Sequence, residues 1–149
     1  MNFYRLCVIL LFLAPVAAQA DLRDSYISLS QRLIEQAQTA QGQGDVAKAG
    51  ALAEQALAAD PSNPDGYMVL GDLAVAAQQD EEAARYFRSV VAIDPADRSA
   101  YRKLGEADLR RDELVAAKDT LAELEKLCTD CEEYTFLSDL VASKSDETK

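Results

Sequence analysis

The chain has 149 residues, with 15 lysine or arginine, 26 aspartate or glutamate and no histidine, and its net charge is −11 at pH 7. Such a balance repels the phosphates of nucleic acid and of anionic lipid, which excludes both as expected partners. Lack of histidine removes the commonest general base and metal ligand, so no Ser/His/Asp or Cys/His arrangement is available. No Gly-rich phosphate loop is present either.

Residues 1–20, MNFYRLCVILLFLAPVAAQA, have the pattern of a secretory signal peptide. Arg5 supplies the positive start, residues 6–14 the apolar run, and Ala18 and Ala20 the A-x-A spacing that predicts cleavage after Ala20. The run is shorter than the roughly 20 residues a membrane-spanning helix needs. Cys7 precedes the run instead of following it, so no lipid-anchoring site is expected. Cleavage would leave 129 residues with a net charge of −12, enough for one domain with a core. The expected product is periplasmic or secreted, without direct membrane insertion, and its cysteines sit in an oxidising compartment.

From Asp21 onward the chain is rich in Ala, Leu, Glu, Gln, Asp and Arg and shows no alternating apolar runs, which predicts an all-α fold. Turns are expected at GQGD (42–45), DPSNP (60–64), QQDEE (78–82), DPAD (94–97) and RRDE (110–113), with helices of about 12 to 15 residues between them. Asn63 and Asp97 stand where a helix N-cap is needed, Pro64 suits a first helical position, and Pro61 and Pro95 stop the helices before them. Residues 22–29 extend the first helix. Near the other end, CEEYTFLSDLVAS predicts a helix over about 131–143 with Phe136, Leu137, Leu140 and Val141 on one apolar face. Asp130 with Glu133 is read as its capping box, and residues 144–149 as a disordered tail.

The punctuation conceals a period of 34: Pro61 and Pro95, Tyr67 and Tyr101, Leu70 and Leu104, Gly71 and Gly105, and Ala49, Ala83 and Ala117 all recur at that spacing. In the middle frame, Tyr67, Leu70, Gly71, Ala74, Ala83, Phe87 and Pro95 fall at the pattern positions of the tetratricopeptide repeat, which the sequence resembles over residues 30–131. The resemblance implies a helical-hairpin solenoid of three helix pairs, in frames 30–63, 64–97 and 98–131, followed by the capping helix. The whole domain spans 21–143. Small residues at Gly71, Gly105 and Ala37 let paired helices approach, and stacked pairs make a continuous core with Leu33, Leu121 and Leu124 among its fillers. The first frame departs from the pattern at Gln36, where Leu is expected, and the third has Cys128 and Thr129 where Pro would close it.

Cys128 and Cys131 therefore lie at the corner between the last repeat helix and the capping helix. A disulfide there would contribute about 2 kcal/mol by closing a short loop, and a structural staple is the expected role. Thiol-disulfide chemistry is the alternative, since a helix N-terminus lowers a cysteine pKa, although Asp130, Glu132 and Glu133 oppose a thiolate. Zinc would need two further ligands from carboxylates or another chain, and no metal site is expected.

The resemblance further implies that the first helices line a concave groove for a peptide or protein partner. Its groove positions carry over to Ile34, Gln38 and Gln41, to Met68, Asp72 and Val75, and to Arg102, Glu106, Leu109 and Arg110. Arg102, Lys103, Arg110 and Arg111 form a positive cluster that could hold a partner's carboxylate, unless they pair with acids of their own helix such as Glu106 and Asp108. Family members that clamp a chaperone's terminal carboxylate use Lys and Asn where this chain has Ile34, Gln38, Met68 and Asp72, so that role is not expected. The expected function is a non-enzymatic adaptor or assembly factor of the bacterial envelope, without cofactor, with self-association through an end of the solenoid as a further possibility.

Overall fold

The computed structural model describes residues 16–147, so most of the expected signal peptide lies outside the described residues. Seven α-helices follow one another: α1 (Val16–Gly42), α2 (Val46–Ala59), α3 (Pro64–Ala76), α4 (Asp80–Ile93), α5 (Arg98–Arg110), α6 (Leu114–Leu127) and α7 (Glu132–Glu147). Among the described residues there is no strand, and no helix is long and apolar enough to cross a membrane. The expected cleavage point after Ala20 falls within α1.

The helices pair as α1–α2, α3–α4 and α5–α6, each hairpin stacks on the next, and α7 lies against α5 and α6. The turn inside each hairpin repeats to the residue. Gly44, Gln78 and Asp112, spaced by the period, have φ of 79°, 59° and 60°. The N–H groups of Asp45, Gln79 and Glu113 donate to the carbonyls of Ala40, Ala74 and Asp108 at 2.9 Å, a Schellman closure that uses the left-handed residue to satisfy the helix end. Only the first turn has glycine at that residue. Gln78→Gly is therefore expected to stabilise the protein by about 1 kcal/mol, read as a higher urea midpoint at unchanged m-value.

Helix starts repeat as well. Asn63 and Asp97 accept from the N–H groups of Asp65 and Ala100 at 3.0 Å, and Cys131 occupies the corresponding place before α7. Asn63 also donates through Nδ2 to Ser30 Oγ at 2.8 Å, and both side chains are buried, so this cap ties α1 to α3. An aspartate cap could not make that donation.

The core runs through the stack. An alanine-rich layer with Ile34, Val69, Leu70 and Leu73 fills the first hairpin and its junction with the second. Phe87 with Ala74, Ala83, Ala84 and Leu104 fills the middle. Leu124, Leu137 and Val141 close the last layer. A Cβ on Gly71 would lie 2.8 and 2.9 Å from Cδ1 and Cζ of the Phe87 ring, and one on Gly105 would lie 2.6 Å from both Leu137 methyls. Both glycines are there for close approach.

The C-terminal segment differs from expectation in three respects. Cys131, not Asp130, is the residue before α7, so the Asp130–Glu133 capping box does not form; the repeat register places the helix start one residue later. Residues 144–147 continue the helix, because Ser145 Oγ donates to the Val141 carbonyl at 2.7 Å and Lys144 Nζ lies 2.8 Å from Asp112 and 3.8 Å from Glu147. Of the expected apolar face, Leu137 and Val141 are buried, but Phe136 remains 44% exposed and Leu140 is half-buried. Those two residues stand at the edge of α7 that meets the groove.

Candidate functional site: the groove along the first helices

Five of the expected groove residues converge. Asp72 and Val75 of α3 and Arg102, Glu106 and Arg110 of α5 line one cavity of about 200 Å³, with Phe87 and Lys103 completing its walls. A second cavity of about 470 Å³ adjoins it between α5 and α7, where Leu109 meets Leu140, Ser143 and Lys144. Glu106 and Arg110 belong to both, so the groove is continuous from α3 to α7.

The first helix contributes less than expected. Ile34 is only 3% exposed and lies in the core, 3.5 Å from where a Cβ on Gly66 would stand. Packing of α1 on α3 turns it inward. Gln38 is exposed on α1, Gln41 is half-buried, and neither lines the two cavities. Met68 is half-buried against the middle core layer.

Sequence reasoning missed the share of α7. Moving Arg102, Glu106 and Arg110 forward by one period gives Phe136, Leu140 and Lys144. Carrying the period one frame further would have found all three. The Arg102 guanidinium lies 5.3 Å from the centre of the Phe136 ring, a cation–π contact that links α5 to α7.

The cations of the positive cluster are paired within the chain. Arg102 meets Glu106 at 2.5 Å, and Lys103 pairs with Asp72 of α3. Arg110 reaches Asp80 of α4 at 2.5 Å and Glu106 at 3.8 Å. Arg111 lies 2.6 Å from Glu81 and 2.9 Å from Asp108. Two of these acids lie in the same helix as expected; the other three reach across from the preceding hairpin. At the α7 end, the hydrogen bond from Lys144 holds the Asp112 carboxyl below its ordinary range. The groove is thus lined by ion pairs already formed, and its uncommitted surface is apolar: Val75, Leu109, Leu140 and the exposed edge of Phe136.

Among the described residues Asp108 is the one buried charge, with a side chain 1% exposed. It stands in register with Ala40 and Ala74 and receives Arg88 at 3.5 Å and Arg111 at 2.9 Å. Burial pushes its carboxyl above the ordinary range, outweighing the pull of the two guanidinium groups downward. A carboxyl whose folded pKa is raised costs stability at neutral pH and recovers it as pH falls through that pKa. Asp108→Asn is therefore expected to change stability by less than about 1 kcal/mol at pH 7. Wild type should gain on the variant between pH 7 and 4, read by urea unfolding across that range.

The Cys128 and Cys131 side chains form a disulfide across the α6–α7 corner, with Cα atoms 5.8 Å apart. Cys128 packs against the last core layer, and Cys131 fills the cap position of α7. Among the described residues no group of His, Cys, Asp and Glu could hold a metal ion.

A tetratricopeptide repeat family model matches residues 40–104. No curated protein matches the sequence. The fold is similar to the first such domain of Spaghetti (RPAP3) bound to an HSP90 peptide, with 19% identity, TM-score 0.73, and 82% of this chain and 94% of that one covered. It is similar to the Sgt2 domain from Aspergillus fumigatus at 22% identity and TM-score 0.72, covering 80% of each chain. The type III secretion translocator chaperone SycD of Yersinia enterocolitica, in complex with a peptide of the translocator YopD, matches at 20% identity and TM-score 0.66, covering 78% of this chain and 89% of that one.

Proposed function

The chain is a tetratricopeptide-repeat protein, and from that premise we propose that it is a non-catalytic adaptor that seats a peptide or protein segment in the groove of α3, α5 and α7. The observation that carries this reading is the pair of adjoining cavities sharing Glu106 and Arg110, with Leu109 and Leu140 as the apolar floor of the larger one. Peptide complexes of the structurally similar RPAP3 domain and SycD support it by analogy of fold.

Because the groove's cations are already paired, the partner's main handle is an apolar side chain, and its charges only tune the fit by exchanging with the ion pairs along the walls. No reaction is proposed for the groove, and the whole chain contains no histidine, the commonest general base. The start of the sequence supports export to the periplasm or beyond, in which case the partner belongs to the envelope or a secretion complex. N-terminal sequencing of the protein from cells should begin at Asp21; a chain beginning at Met1 would remove the export step.

The binding test is photo-crosslinking in the cell from Val75 and from Leu140, with exposed Lys118 of α6 as control. A discrete adduct from both groove positions, absent from Lys118 and lost on adding Leu109→Glu, is the expected result. Equal adducts from all three, or none from the groove, would overturn the reading.

A further inference from the structure

Helices α2 and α4 do not close on each other. A cleft of about 380 Å³ lies between them, floored by Leu70, Leu73 and Ala74 of α3, away from the cavities of the groove. On the α2 side, between Val46 and Glu54, its wall is Ala47, Gly50 and Ala51, side chains too small to fill it, and Tyr86 of α4 stands on the other side. Leu70 and Leu73, at 9% exposure each, keep a little of their surface open at the bottom.

The repeat provides its own comparison. One period on, Ala74, Ala77, Glu54 and Ala47 become Asp108, Arg111, Arg88 and Glu81. At that second junction these four side chains join into one network, with Arg88 and Arg111 on Asp108 and Arg111 on Glu81. The same architectural gap is therefore bridged by long charged side chains between the second and third hairpins and left apolar between the first and second.

Two details separate the open cleft from a mere packing fault. Gly50 lies inside α2, where glycine costs about 1 kcal/mol against alanine, yet a Cβ there would make only an ordinary 3.7 Å contact with Leu73. Packing does not require the glycine; an unobstructed cleft does. The charges on the lining are Glu54 and Glu82. Glu82 meets Arg85 at 3.7 Å, but among the described residues no cation pairs with Glu54. Where the second junction carries Arg88, the first therefore presents an acid beside an apolar trough.

We propose that this cleft is a second docking site, for a partner segment that lays a leucine-sized apolar side chain over Gly50 and Leu73 and brings a lysine or arginine to Glu54. The partner then supplies from outside the aliphatic stem and the cation that Arg88 supplies from within at the next junction. The site is separate from the groove: α3 lends it Leu70, Leu73 and Ala74, and it shares no residue with either groove cavity.

The probe is an array of short peptides carrying leucine or phenylalanine next to arginine or lysine, with a matched array in which the basic residue is glutamate. The purified full-length protein should bind members of the first array and not their glutamate counterparts. Binding should fall about tenfold or more in Gly50→Leu, which fills the trough, and in Glu54→Lys, which reverses the rim charge, and should persist in the groove variant Leu109→Glu. Gly50→Leu removes a helix-weakening glycine, so thermal unfolding at or above the wild-type temperature checks that it folds, and the surface change Glu54→Lys tests the site separately. Absence of binding, equal binding of the glutamate array, or binding unmoved by both cleft variants would overturn the proposal. Loss of binding in Leu109→Glu alone would place the peptides in the groove and overturn it equally.

Discussion

Phe87→Ala is expected to lower the unfolding free energy by about 3–5 kcal/mol, the largest effect of any single truncation among the described residues. The ring is fully buried and is the largest completely enclosed side chain among the described residues. It touches both halves of its own hairpin and the next, with Gly71 against its face, Leu104 in the same layer and the Lys103 ammonium 5.7 Å from its centre. Removing it leaves a void that backbone packed around a glycine cannot quickly fill. Gly71→Ala should also destabilise, for the opposite reason, because its new methyl collides with the ring. Since each change relieves the other's fault, the double variant Gly71→Ala/Phe87→Ala should be less destabilised than the sum of the two. A double-mutant cycle in urea reads this as a coupling energy, and simple additivity would mean that the Gly71 contact with Phe87 is not what limits the packing.

Leu137→Ala should cost about 2–5 kcal/mol, but with a different signature. Leu137 is fully buried and seats α7 on Gly105, with Val141 one turn on as the only other buried apolar residue of that helix. In a stack where each element touches only its neighbours, a lesion at the end is felt at the end. Amide exchange across 132–147 should therefore accelerate far more than exchange in α3 or α4, and the disulfide should keep the loosened helix tethered. Because α7 supplies Leu140 and Phe136 to the groove, the same variant should lose the photo-adduct at Leu140 while retaining part of the one at Val75. Uniform acceleration across all helices would show instead that the solenoid unfolds as one unit.

The fold was legible in the sequence because its determinants recur. Tyr67 and Tyr101, Leu70 and Leu104, and Gly71 and Gly105 set both the helix pairing and its register, and a period is visible without knowing any contact. The groove was legible only in part. Val75, Glu106 and Arg110 came from the family's groove positions, but Ile34, carried over in the same way, lies in the core against α3, where the buried bond between Asn63 and Ser30, without a counterpart in the other repeats, ties α1 down. The ion pairs of the α5 cations were legible within the helix, at Glu106 and Asp108, but not beyond it. Their partners Asp72 and Asp80 lie 31 and 30 residues away, beyond the three- and four-residue spacings at which ion pairs can be read from sequence. The last turn of α7 was taken for a tail because its support, Asp112, lies in the turn between α5 and α6.

The helix that closes the stack also departs from the repeat. Thr135, Ser138 and Asp139 of α7 lie one period beyond Tyr101, Leu104 and Gly105 of α5, of which the leucine packs in the Phe87 layer and the glycine receives Leu137 of α7. Where α5 presents a ring, a branched aliphatic and a bare backbone to its neighbours, α7 presents two hydroxyls and a carboxylate. A further hairpin, from this chain or from another copy, would have to desolvate them with nothing to offer in return. This end of α7 is therefore a polar seat, on which a further hairpin would find little apolar surface to bury.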